Sequence, residues 1–183
     1  MIEETDEIIA VAIQQGDTDA FGILISRYEE KLKRYARRFL AREEDVSDLV
    51  QDVFIKAYEH IQSFDTTQRF SPWIYRIAHN SFVNELRRKD RWGMVFDADT
   101  ILPALPGTER TDALTLNTEQ QRVVEQALTS LPAKYREVVV LHYFENLSYQ
   151  EISDILHVPV NTVGVRLSRA RQSLETLLID HIS

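Results

Sequence analysis

The chain has 183 residues, of which 44% are hydrophobic and 27% charged, with a net charge of −8 and no cysteine. These values suit one globular domain or two small ones and exclude fibrous, collagen-like and wholly disordered chains. A disulfide framework, a thiolate metal site and a cysteine nucleophile are excluded as well. There is no apolar run of about 18 residues and hence no membrane span. The start, MIEETDEIIA, lacks the basic n-region of a signal peptide, so a cytoplasmic chain is expected.

The acidic balance is unevenly spread. Residues 66–92 hold six basic and two acidic side chains, and residues 158–183 hold three basic and two acidic ones. The other segments are all net acidic. Two small basic faces neutralise few phosphates, so such a chain binds duplex DNA weakly by itself. Either a partner helps it read DNA or it does not read DNA.

Apolar residues recur at spacings of three and four almost throughout, which predicts an all-α chain. From Asp19 to Leu40 the stripe is Phe21, Leu24, Ile25, Tyr28, Leu32, Tyr35, Ala36 and Phe39. From Glu44 to Ile61 it is Val46, Leu49, Val50, Val53, Phe54, Ala57 and Ile61. A polar loop, SFDTTQRF, follows. Ser71-Pro72 predicts the next helix start, with Ser as N-cap and Pro at the first helical position. That helix runs to about Lys89.

Residues 93–117 hold two prolines, two glycines and scattered acids with no helical period, and read as a linker. This divides the chain into 1–92, a linker 93–117, and 118–183. Thr118-x-x-Gln121 is a capping-box pattern, Pro132 opens another helix, and Ser148-x-x-Glu151 is a second capping box. His157-Val158-Pro159 ends that short helix, and a last helix runs from about Val160 to Leu178.

Three surfaces carry chemistry. A short capped helix, a tight turn and a longer helix over LSYQEISDILHVPVNTVGVRLSRARQSL form a helix-turn-helix pattern. The second helix of that motif enters the major groove. Asn161, Thr162, Gly164, Val165, Ser168 and Arg169 are expected to face outward, and Val163, Leu167, Ala170 and Leu174 inward. Arg166, Arg169 and Arg171 suit phosphates or guanine edges. A plain helical hairpin with a solvated arginine face is the alternative.

On the Ser71–Lys89 helix, Trp73, Arg76, Asn80, Asn84 and Arg87 fall on one face. An aromatic, two amides and two arginines suit an unstacked strand. The preceding loop, with Phe64, Asp65 and Arg69, lies where a flipped base is captured. The alternative is a solvated face with Trp73 in the core.

Glu44, Asp48 and Asp52 line up at i, i+4 and i+8, where like charges oppose one another. Part of this run favours the macrodipole at a helix start. A di-metal site requires Glu-x-x-His, which the chain lacks. A docking face for a basic partner helix, with Leu49, Gln51 and Phe54 adding apolar and polar contact, is preferred. No phosphate-cradling glycine loop, nucleophile elbow or zinc-protease motif occurs, and the five histidines are scattered. No enzymatic activity, cofactor or metal is expected.

These residues resemble the bacterial RNA polymerase sigma factors of the sigma-70 family, in particular the short extracytoplasmic-function (ECF) group. DAFGILISRYEEKLKRYARRFL is similar to region 2.1, DVSDLVQDVFIKAYEHIQSFD to region 2.2, and RFSPWIYRIAHNSFVNELRRKDR to regions 2.3 to 2.4. Residues 131–174 are similar to region 4.

The resemblance implies two small helical domains and an initiation factor that directs core polymerase to promoters. Region 2.2 implies docking on the clamp helices of the largest subunit, through Asp45, Asp48, Leu49, Gln51, Asp52 and Phe54. Regions 2.3–2.4 imply melting and reading of the minus-ten element. Phe64, Asn80 and Asn84 are the expected base pocket, with Asp65, Arg69 and Trp73 beside it and Arg76, Arg87 and Arg88 on phosphates. Region 4 implies minus-35 readout by the Asn161–Arg171 helix and contact with the polymerase flap region. The linker is implied to thread toward the RNA exit path, and an anti-sigma factor is the implied inhibitor.

One departure stands out. Gly164-Val165 occupies the place where the family usually has a basic residue and then Ser, which implies an atypical minus-35 preference. A stand-alone helix-turn-helix regulator and a helical adaptor remain the rival readings of the residues themselves.

Overall fold

The computed structural model describes residues 4–37, 43–88, 124 and 126–182, and every regular element among them is helical. The linker 93–117 and the Thr118 capping box lie outside the described residues.

The first half opens with a helix the periodicity reading passed over, α1 (Asp6–Gln14). Its signals are short but complete. Thr5 caps the Ile8 N–H, Asp6 and Glu7 sit in the positive first turn, and Ile9, Ala10 and Ile13 form the buried face. Gly16, at φ 107°, then turns the chain in a conformation open to glycine. A short 3-10 turn, Thr18–Ala20, leads into α2 (Phe21–Ala36). The expected stripe is buried at Phe21, Leu24, Tyr28, Leu32, Tyr35 and Ala36. Each large member removes enough apolar surface from water to contribute roughly 1.5–3 kcal/mol.

Helix α3 (Glu43–His60) packs between α2 and α4 (Phe70–Arg88). Helix α4 begins one residue before the expected Ser71 cap. The reason is tertiary: Glu7 Oε1 accepts the Phe70 N–H at 2.9 Å, so α1 supplies the cap from across the bundle. Pro72 still lies in the first turn, where a missing N–H costs nothing. Gln14 Nε2 donates to the carbonyls of Ile61 and Phe64, at 2.7 and 2.9 Å, and holds the loop before α4.

In the second half, Pro132 caps α5 (Ala133–Val139), which continues as a π-helical turn over Val140–Phe144 rather than as a plain helix. Buried Arg136 donates to the carbonyls of Thr129 and Leu131, at 2.6 and 2.8 Å, tying the helical segment 126–130 to α5. Helix α6 (Tyr149–Leu156) carries both bonds of the Ser148–Glu151 capping box. His157, in the left-handed region at φ 54°, ends it. Helix α7 (Val160–Ile182) packs on α5 and α6.

The halves meet where α6 packs against α4, and their buried apolar residues join in one cluster.

Candidate nucleic-acid interface

The α4 surface follows from its helical period. Ile74, Tyr75, Ala78, Phe82 and Leu86 turn inward, leaving Arg76, Asn80, Asn84 and Arg87 exposed on the opposite side. Arg88 is exposed as well, but its guanidinium pairs with Glu85 at 2.7 and 2.8 Å. The Glu85 hydrogen bonds and charge raise the Arg88 pKa further above its already high ordinary value.

Phe64 corrects the expectation of an open base-capturing ring. It is 5% exposed and packs on Phe70 and Trp73, with ring centroids 5.5 and 5.0 Å away. Burial of an aromatic face outweighs leaving it in water. Trp73 is half-buried at the edge of this cluster, so it alone of the two keeps some surface beside Arg76. Asp65 organises its own loop. Its Oδ1 accepts from the Thr67 N–H and hydroxyl at 3.0 and 2.7 Å, which holds the carboxyl below the usual range. Arg69 is half exposed and reaches across to the second half, donating to Glu151 at 3.0 Å.

The α3 face divides in two. Glu44, Asp48 and Gln51 are exposed, and Asp45, Leu49 and Asp52 half-buried. Phe54 corrects its expected place on the docking surface. It is 7% exposed and meets Phe21 edge-on at 6.4 Å, because it falls on the α2-facing stripe. Exposed Ile55 and Tyr58 are the apolar residues that α3 leaves uncovered, and sequence reasoning missed them. Asp52 pairs with Lys56 at 2.6 Å, and Lys56 also donates to Ser81 on α4. The negative charge toward solvent therefore centres on the turn around Asp48.

Helix α7 follows its amphipathic pattern. Val163, Leu167 and Ala170 are fully buried and Leu174 packs against the core. Asn161, Val165, Ser168, Arg169 and Arg171 are exposed, while Thr162, Gly164 and Arg166 are half-buried. Arg169 donates to the Tyr135 hydroxyl at 3.2 Å.

Sequence reasoning also missed a buried polar group between the halves. Glu137 on α5 is 1% exposed. Its Oε1 accepts the Tyr35 hydroxyl at 2.5 Å and stands 2.8 Å from His79 Nδ1. Burial, then the Glu137 charge, push the Tyr35 pKa well up. The hydroxyl of Tyr75 is buried with no hydrogen-bond partner. Burial, then the nearby Glu145 carboxylate, raise its pKa too. His79 and Glu137 look unremarkable in sequence, since only the packing of α4 on the second half joins them.

Among the described residues no cluster of three or more His, Asp or Glu suits a metal ion, and no helix is long and apolar enough to cross a membrane.

Two family models match the chain: "Sigma-70 region 2" over residues 24–91 and "Sigma-70, region 4" over residues 121–174. The ECF RNA polymerase sigma factor SigW of Bacillus subtilis is 35% identical over 177 residues, covering 92% of this chain and 94% of that protein. The ECF RNA polymerase sigma-E factor of Escherichia coli is 35% identical over 178 residues, covering 93% of each. Among solved structures, CnrH in complex with the cytosolic domain of CnrY has a TM-score of 0.67 at 29% identity, covering 97% of this chain and 99% of that one. RpoE of Bartonella quintana, in complex with the anti-sigma factor NepR, has a TM-score of 0.63 at 26% identity, covering 86% of this chain and 96% of that one. A match to region 2 as well as region 4 disfavours a lone helix-turn-helix regulator. The chain thus belongs to the sigma-70 family, in its ECF group, and is a transcription initiation factor that directs RNA polymerase to promoters.

Proposed function

We propose that the two basic surfaces divide promoter recognition between them. The exposed face of α4 reads the minus-ten element as a melted strand: Asn80 and Asn84 bond base edges, Arg76, Arg87 and Arg88 hold phosphates, and Trp73 stacks at the edge. Phe64 acts beneath this surface as part of its floor, and Asp65 shapes the adjoining loop. The start of α7 reads the minus-35 element as duplex. The acidic turn of α3, with Asp45, Asp48, Leu49, Gln51 and Asp52, docks on the polymerase clamp helices, and the second half meets the flap region. Residues 1–92 and 118–183 act as the two domains, joined by 93–117.

The observation that carries this reading is the four-residue row Arg76, Asn80, Asn84 and Arg87, exposed together on one side of a helix whose other side is core. Amides and arginines without an acid between them suit nucleic acid more than solvent. The protein has no catalysis of its own in this scheme, and works in the cytoplasm at the nucleoid. RpoE of Bartonella quintana was solved with an anti-sigma factor, which supports an anti-sigma partner here.

The test is run-off transcription with purified core polymerase and a genomic promoter library. Transcripts from discrete sites only in the presence of the chain are expected, and Asn80→Ala abolishes most of them. Equal transcription by that variant overturns the α4 assignment.

A further inference from the structure

We propose that Gly164, Val165 and the ring of Tyr149 form an apolar notch on the base-facing side of α7, and that this notch takes the 5-methyl group of a thymine in the minus-35 duplex. The inference rests on the reading of the start of α7 as the minus-35 helix, and adds to it the base that this helix selects.

The notch follows from the helical period. Asn161, Gly164, Val165 and Ser168 are spaced three and four apart, so they share one side of α7, while Val163, Leu167 and Ala170 are buried on the other. Asn161, Val165 and Ser168 are exposed and Gly164 is half-buried. No side chain rises from Gly164, so a ligand can approach the helix backbone there. The Tyr149 ring, from the first position of α6, lies beside the opening. Its Cε2 and Cδ2 stand 3.6 and 4.0 Å from the point where a Cβ on Gly164 would be. That ring is held from its own side of the molecule. It meets the His142 ring at 72° with centroids 5.2 Å apart, and His142 Nδ1 donates to the Leu147 carbonyl at 2.8 Å.

The apolar surface left open is substantial. Val165 is 51% exposed and Tyr149 36%. A single exposed valine is ordinary on a protein surface. Here it adjoins bare backbone and an aromatic edge, on a side whose other members, Asn161 and Ser168, are polar and uncharged.

The chemistry of the major groove names the occupant. Base pairs present hydrogen-bonding atoms there and one apolar group, the thymine methyl. Valine methyls and a ring edge offer nothing to the amino, carbonyl or ring-nitrogen atoms of guanine, adenine and cytosine. A thymine methyl instead leaves water against them. Cytosine has no methyl at that carbon and leaves the notch to solvent. Asn161 and Ser168, one turn to either side, can bond the edges of neighbouring bases.

The test removes the methyl without changing any hydrogen bond. Each thymine of the minus-35 element, in a promoter found by the run-off assay, is replaced in turn by deoxyuridine. Binding of the holoenzyme is then measured by competition. One thymine is expected to respond, with binding weakened about three- to fivefold, the size of one buried CH2 group. Val165→Ala, and Gly164→Ala by filling the notch, are each expected to shrink that difference to less than about twofold. Replacing the responsive thymine by cytosine should weaken binding, and 5-methylcytosine should restore part of it. A deoxyuridine penalty of the same size in the wild-type, Val165→Ala and Gly164→Ala chains places the methyl elsewhere and overturns the notch. So does a holoenzyme indifferent to deoxyuridine at every position while a scrambled minus-35 element still weakens it, and that outcome leaves the α7 reading intact. Indifference to the scrambled element overturns the α7 reading itself.

Discussion

The ring of Tyr149 lies 3.6 Å from the point where a Cβ on Gly164 would stand. This is ordinary van der Waals distance, so the glycine at this place in α7 is not demanded by sterics. It leaves a gap in a helix surface where the family usually presents a basic side chain, with exposed Val165 beside it.

Gly164→Ala is therefore expected to stabilise the second half by up to ~1 kcal/mol, the helix-propensity difference. A rise in its thermal midpoint checks this. Gly164→Arg is expected to strengthen minus-35 binding by the holoenzyme and to steepen the dependence of log K on log salt by about 1. A salt titration with an unchanged slope shows that position 164 does not face phosphate.

Asn80→Ala is expected to lose about 1–3 kcal/mol of discrimination at one base of the minus-ten element, leaving polymerase binding intact. Transcription from promoters substituted base by base identifies the position, and normal co-purification with core polymerase checks the second half of the claim.

Charge reversal at Asp48 should act more strongly on polymerase docking than reversal at Asp52. Asp48 is exposed at the centre of the acidic turn, whereas Asp52 is already satisfied by Lys56 at 2.6 Å. Asp48→Arg is expected to weaken core binding about tenfold, near 1.4 kcal/mol. Asp52→Arg is expected to cost less, with a small loss of stability from the broken surface pair, about 0–1 kcal/mol. Competition binding against the wild-type chain ranks the two, and the reverse order argues against this docking face.

Glu151 makes the junction acid-sensitive. Burial disfavours its charge, but the Ser148 bonds and Arg69 outweigh burial and hold its pKa below the usual 4.5. A carboxyl with a depressed folded pKa stabilises the fold in full above its unfolded pKa and loses that contribution as pH falls through the folded value. Glu151→Gln is thus expected to lower stability by about 0.5–1 kcal/mol at neutral pH, discounted for the exposure of Arg69. The gap to wild type should close as pH drops below 4.5. A gap constant from pH 7 to 3 in thermal melts refutes the link.

Much of the fold was legible because helices announce themselves locally. The α2 and α7 stripes and the Ser148–Glu151 box depend on residues within a few turns of one another, and the structure places them as their spacing implies. Helix α1 was overlooked because nine residues hold only two turns of pattern. The start of α4 lies two residues before the expected first helical position, at Phe70 rather than Pro72, because its cap comes from Glu7, 63 positions away. The Phe64 ring leaves the expected base pocket for a related reason, since its burial depends on Trp73 from another element, whereas Phe54 had a place both in the apolar stripe and on the docking face, and its packing on Phe21 decides for the stripe.

The sequence by itself determined the helical class, the two basic faces and the acidic turn, which rest on composition and short-range periodicity, and its motif segments carried the family resemblance. Only the tertiary structure decided which aromatic rings leave the surface and that Glu137, His79 and Tyr35 meet. These outcomes depend on long-range packing. A carboxylate becomes tolerable in a core only when distant partners are brought to it, and no local pattern encodes where those partners will stand.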